Sequence, residues 1–227
     1  MQVRKERSSY LSWYFDIPPI TRTYFTLSLL LTLLTTLDLL SPFSLYYNLT
    51  LILPPHNQYH RLLTSFCYFG TANLDFAFHM YFLVRYARML EEGEFSRDRA
   101  SFLLLLITSA TLILLTAQAL NLTFLGSSLT FCTLYVWGRR NSDVEMQMFG
   151  VLNFRAPYLP LVMLGFSLVL GNSATVDLLG IAAGHVFYFG RYVYPRVAEI
   201  RGWKRKDIMQ PPDILRWICG DLVQGND

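Results

Sequence analysis

The sequence predicts an all-α membrane protein with six transmembrane helices and both termini in the cytosol, and three observations carry that prediction. The 227 residues are 53% hydrophobic and only 15% charged, with a mean hydropathy of +0.32, whereas soluble domains carry about 25% charged residues. Apolar runs approaching the roughly 17–25 residues needed to cross a hydrocarbon core recur along the whole chain. The basic residues, finally, collect on alternate connections between those runs. The 14 Tyr, 17 Phe and 4 Trp suit rings anchored at membrane interfaces. A net charge of +3 is too small and too dispersed to indicate nucleic-acid binding. Cys67, Cys132 and Cys219 are far apart and odd in number, so neither a disulfide framework nor a metal site is implied.

The first run, Tyr24 to Leu40, follows a polar stretch with Arg4, Lys5, Arg7 and Arg22, which does not read as a removable signal peptide. Ser41-Pro42 closes it. The second, Leu74 to Leu90, is unusually polar and carries Asp75, His79, Arg85 and Arg88. Ala100 to Leu120 is nearly pure Leu, Ile, Thr and Ala. Leu122 to Trp137 and Pro157 to Leu170 are short, and Ala174 to Tyr194 is the sixth. With six spans, eighteen of the 19 Lys/Arg fall on one side and only Arg61 on the other. That is the positive-inside pattern, and removing one span would scatter the charges.

The expected organisation is a membrane domain over 1–195, with a cytosolic segment 1–22, followed by a basic tail over 196–227. The tail holds Arg196, Arg201, Lys204, Arg205 and Lys206, a cluster that could attract anionic membrane lipid, and then "DILRWICG". The loop from Ser41 to about Thr71 is apolar enough to lie partly in the lumenal membrane interface. Asn48-Leu49-Thr50 and Asn121-Leu122-Thr123 match the glycosylation sequon, but both lie close to the bilayer.

Polar groups inside a membrane are costly and default to functional candidates. Asp75 and His79 are four apart and share a helix face; Asp75 and Asn73 are also good helix starters. Gln118, Ser127 and Ser128 add amide and hydroxyl groups on the lumenal half. Together these five positions are candidates for a polar groove, while each alone could simply bond a neighbouring helix. Short spans thin the bilayer locally. Gly180 and Gly184, four apart in "DLLGIAAGH", read as a close helix contact.

Several ordered segments resemble one family: "QYHRLLTSFCYFG", "HMYFLVRYARMLEEGEF", "FLGSSLTFCTLYVWGRRN", "YLPLVMLGFSLVLG" and "GIAAGHVFYF". They are similar to the derlins, inactive rhomboid-like proteins of the endoplasmic reticulum. The resemblance implies a six-helix rhomboid-like fold, a multi-pass endoplasmic-reticulum location and no cofactor. It further implies a part in endoplasmic-reticulum-associated degradation, assisting retrotranslocation of misfolded polypeptides. The implied partners are a membrane ubiquitin-ligase complex of the HRD type with its scaffold, membrane lipid, and indirectly a cytosolic AAA+ segregase.

Rhomboid proteases share this fold and need a serine on the fourth helix, a histidine base on the sixth and oxyanion donors from the second. By resemblance the histidine position is Asp177, three residues before Gly180, and the serine position is Gly126 with Ser127 and Ser128 adjacent. A register shift of two would place Ser128 there. His79 takes the oxyanion asparagine position and Asp75 that of a further histidine. No catalytic residue is therefore expected.

A Trp-Arg loop motif reads His60-Arg61 here, keeping the arginine that could anchor the loop. Longer members carry a segregase-recruiting peptide in the tail. None is read before Asp227, so either the tail continues or the chain belongs to the short-tailed branch. The rival functions are an active intramembrane serine protease and a chaperone or trafficking receptor for client transmembrane helices.

Overall fold

A computed structural model describes residues 13–148, 150, 152–203 and 209–220. Lys204, Arg205 and Lys206 of the basic tail lie outside the described residues, as do Arg4, Lys5 and Arg7. Six longer helices occupy the six expected runs: α1 (Pro19–Thr36), α4 (Leu74–Met89), α5 (Arg99–Ala117), α6 (Gly126–Arg140), α7 (Leu159–Val169) and α8 (Ala174–Tyr188). Between α1 and α4 the chain makes two short helices, α2 (Leu49–Ile52) and α3 (Arg61–Cys67). Among the described residues only α5 is both long and apolar enough to cross a membrane by itself, with a mean hydropathy of 2.2. The others fall short for a physical reason: α7 has 11 residues, roughly 16 Å of helix against about 30 Å of hydrocarbon.

The outward faces are those of a helix bundle in lipid. The buried residues of α1 are Thr21, Ser28, Thr32 and Thr35, while Leu29, Leu30 and Leu33 are exposed. A water-soluble helix would show the reverse; small and hydroxylated residues at helix contacts are the membrane pattern. On α7 likewise, Ser167 is buried and Leu161, Leu168 and Val169 are exposed. The first turn of α1 has no capping side chain of its own. Glu91, buried, supplies one from 70 residues away: its carboxylate accepts from the Ile20 and Thr21 amides at 3.0 and 2.8 Å and from Thr21 Oγ1 at 2.7 Å. A carboxylate there satisfies otherwise orphaned N–H groups and the helix dipole.

Two features differ from the sequence expectation. Glu145–Met148 (β1) and Leu152–Arg155 (β2) form an antiparallel hairpin with Glu145 opposite Arg155, so the fold is not wholly helical. Gly150, at φ 72°, supplies the left-handed backbone that the turn needs. The helical path of α8 also passes Pro195 without a break, through a π-helical segment Phe189–Val193 into α9 (Tyr194–Ile200). Pro195 lacks the N–H that a continuous helix would use, and the π-helical turn directly ahead of it is where the path departs from regular α geometry. The last described helix, α10 (Asp213–Cys219), packs against α5.

The centre of the molecule is α6, on which Ser128 through Gly138 are all buried. Phe82 and Tyr86 from α4, Phe102 from α5 and Phe187 from α8 pack with Phe131, Leu134 and Trp137 of α6 in the main apolar core. Against α8 the approach is closest. A Cβ at Gly180 would lie 2.0 Å from Ser128 O, and one at Gly184 would lie 3.0 Å from Cys132 O. Only glycine permits that contact, which fixes α6 and α8 side by side.

Candidate functional site: a buried polar cluster

The α6–α8 contact sets the register of a polar cluster shared by α4, α6, α7 and α8. Asp177, in the first turn of α8, is 1% exposed. Its two carboxylate oxygens accept separate hydroxyls, from Ser127 on α6 and Ser167 on α7. Ser128 Oγ donates to Val176 O at 2.5 Å. On α4, Asn73 is the cap, its Oδ1 accepting from Phe76 N at 2.9 Å. Asp75 is thereby left for other work: His79 Nε2 lies 3.4 Å from its Oδ1, and Asn172 Nδ2 donates to the same oxygen at 2.6 Å. Asn172 sits in the short turn between α7 and α8, so Asp75 ties α4 to that turn.

These groups line a cavity of about 210 Å³ that holds Asp75, His79, Ser127, Asn172 and Asp177, with Phe69 and Phe124 as apolar walls. The His79 ring is 5.8 Å from that of Phe69, centroid to centroid. Burying a carboxylate costs free energy unless it is hydrogen-bonded; Asp177 is buried and Asp75 half-buried, and both are hydrogen-bonded. Chemically the cluster offers hydroxyl, amide and imidazole donors beside two acceptors. It can hold water or exchange its own bonds for those of a polar chain.

Of the five groove candidates, Asp75, His79 and Ser127 meet at this cavity. Ser128 is adjacent but buried, with its hydroxyl spent on Val176 O. Gln118 is not brought to the cluster: it is the C-terminal cap of α5, exposed, and not among the residues that line the cavity. The sequence reading also missed two contributors. Asn172 carried a signal, since it interrupts an apolar stretch in "LGNSAT"; Ser167 carried none, being one hydroxyl in an apolar helix.

The serine position inferred by resemblance, Gly126, is sterically closed. A Cβ there would meet Phe66 O at 2.7 Å and the Phe69 ring at 2.8 Å. His79 makes no hydrogen bond to a serine among the described residues. His185 lies elsewhere, its Nδ1 2.6 Å from Tyr135 Oη.

Arg61 holds the loop between α1 and α4. Its Nη1 donates to Phe43 O and Tyr46 O, both at 3.0 Å, and its Nε to Gln58 Oε1 at 2.7 Å. The guanidinium also lies 4.8 Å from the Tyr46 ring centroid. His60, where an aromatic anchor was expected, places Nε2 3.2 Å from Ser44 O. Asn48 caps α2, its Oδ1 accepting from Thr50 N at 2.9 Å. A larger groove of about 550 Å³ between α1, α3 and α5 is almost wholly apolar and has Arg99 as its one charged side chain.

A helical bundle with an apolar outside, glycine-mediated helix contact and a buried carboxylate cluster defines a helical membrane protein. The profile of the Der1-like family matches residues 17–204. Among curated relatives, Derlin-2.2 of Arabidopsis thaliana is 42% identical over 209 residues, covering 87% of this chain and 85% of its own. Derlin-2 of Oryza sativa subsp. japonica is 41% identical, covering 85% and 81%, and a probable derlin-2 homolog of Dictyostelium discoideum is 35% identical, covering 95% and 83%. The chain belongs to the Der1-like family, the derlins.

Proposed function

We propose that this derlin assists the retrotranslocation of misfolded proteins in endoplasmic-reticulum-associated degradation, and that it does so without cutting them. The observation that supports this most is the polar cluster itself: carboxylates, hydroxyls, an amide and an imidazole gathered at the α4–α6–α8 junction of an otherwise apolar bundle. In this reading six spans place both termini, and eighteen of the 19 Lys/Arg, in the cytosol. The cluster then faces the lumen, where a polypeptide can exchange its backbone hydrogen bonds with those of the cluster. The short α7 thins the bilayer beside it and lowers the crossing barrier. A membrane ubiquitin ligase and its scaffold, with a cytosolic segregase beyond them, would take the emerging chain.

Absence of proteolysis follows in the same reading from the hydrogen bonds. Ser127 donates to a carboxylate, and no imidazole is hydrogen-bonded to it among the described residues to serve as the base that a serine nucleophile needs. Clearance of a misfolded lumenal reporter, in cells whose sole copy is the variant, tests both halves. Asp75→Leu with Asn172→Leu, which removes the polar pair and leaves the α6–α8 contact alone, slows clearance. Ser127→Ala, which removes one of several polar groups of the cluster, slows clearance less than that pair does, and clearance abolished by that change alone would restore the serine-protease reading.

A further inference from the structure

At the opposite end of α6 from the polar cluster lies a cavity of about 590 Å³, bounded by the end of α6, the hairpin, the start of α7 and Ile181 of α8. Three arginines at this end are paired with carboxylates. Arg140 is 3.0 Å from Glu94, Arg88 is 2.9 Å from Glu92, and Arg191 is 3.8 Å from Asp98. Arg139 and Arg155 differ: both line the cavity, and neither makes an ion pair among the described residues.

Arg139 is held in place. Its Nε donates to Tyr135 Oη at 3.2 Å and its guanidinium carbon stands 5.6 Å from the Tyr135 ring centroid, leaving the terminal nitrogens for a ligand. Arg155 is exposed on the hairpin, with Glu145 as its cross-strand neighbour but no ion pair between them among the described residues. One acid, Asp143, also lines the cavity, its Oδ1 accepting from Ser142 Oγ at 3.3 Å. Two guanidiniums against one carboxylate leave the cavity cationic. Its other wall is apolar and continuous with the outside of the bundle, since Tyr158 and Leu161 at the start of α7 are 58% and 56% exposed.

We propose that this cavity binds the phosphate headgroup of an anionic phospholipid, clamped between Arg139 and Arg155. Planar guanidiniums match phosphate oxygens in bidentate fashion. The apolar flank gives the acyl chains a path down the outside of α7, and that flank is what selects a lipid over a free phosphate. The inference stands apart from the retrotranslocation reading and concerns the other end of α6.

Native mass spectrometry of the full chain in detergent, titrated with phosphatidylserine or with phosphatidylcholine, tests it. Wild type retains phosphatidylserine in preference to phosphatidylcholine. Arg139→Gln and Arg155→Gln each weaken phosphatidylserine binding by about fivefold to tenfold, the effect of one basic group at an anionic membrane surface, whereas Arg99→Gln, an exposed arginine outside the cavity, leaves it unchanged. Should Arg139→Gln elute as aggregate in size exclusion, Arg155→Gln carries the test. Equal weakening by Arg99→Gln would overturn the proposal as unspecific charge. Displacement of the lipid by equimolar inorganic phosphate would overturn the assignment to a lipid.

Discussion

Asp177 is the residue on which the cluster turns, because its two oxygens satisfy two serines on two different helices. Asp177→Leu leaves the buried Ser167 hydroxyl without its acceptor and takes the acceptor of the half-buried Ser127, and at about 1–3 kcal/mol for a buried unsatisfied group it should destabilise the fold by roughly that amount. Asp177→Asn keeps one acceptor oxygen and should cost less than half of that; unfolding in mixed micelles measures both. Gly180 is the second decisive residue. A methyl at 2.0 Å from Ser128 O has nowhere to go, so Gly180→Ala should destabilise by about 1–3 kcal/mol. Gly165→Ala meets nothing within 4 Å and should be neutral or gain up to about 1 kcal/mol from helix propensity.

Cys67 sits in the loop helix α3, where burial pushes its thiol up to about 12 from a reference of 9.0. Between those two values the unfolded chain loses a proton that the folded chain keeps, so stability falls as pH rises above about 9. Neutral maleimide should label Cys67 only after denaturation, read by peptide mass. Fast labelling in the folded protein would show that α3 is not packed as described.

At the scale of elements, Arg61 and Glu91 each hold a segment from a distance. Arg61→Ala removes three hydrogen bonds from the loop between α1 and α4 and should speed proteolysis between residues 41 and 60 without altering total helix content. Glu91→Ala uncaps α1, with a cost of about 1–2 kcal/mol expected from a lost cap.

What the sequence revealed at this scale divides by physical cause. Gly180 and Gly184 were legible because small residues four apart in an apolar run have few other uses. Arg61 was legible by resemblance and by its isolation from the other basic residues. Gln118 was misplaced because hydropathy reports depth along a helix and says little about which way its last turn points. Glu91 as a cap and Ser167 as a partner of Asp177 depend on contacts that no local pattern carries. The hairpin was the avoidable miss: "EMQM" and "LNFR" alternate in polarity around Gly150, as paired strands do. The continuation of the α8 path to Ile200 was hidden by Pro195, because an interior proline kinks or breaks a helix and the π-helical turn that precedes it here has no local sequence signal.

For the molecule as a whole, packing and polarity are divided between different faces. The α6–α8 contact is as close as glycine allows, much of the outside is leucine, and the hydrogen-bonded carboxylates Asp75 and Asp177 meet at the cluster. This division lets an apolar bundle keep a polar cavity in its interior. Its functional meaning rests on whether a substrate chain reaches the cluster. Photo-crosslinking from residues 75, 79, 127 and 172 during retrotranslocation of a misfolded lumenal protein, with position 118 as the outward-facing control, measures that directly. The account predicts substrate adducts at the four cluster positions and few or none at 118. Adducts confined to the ends of α6 and α8 that carry Arg139 and Arg191, with none at the cluster, would contradict it.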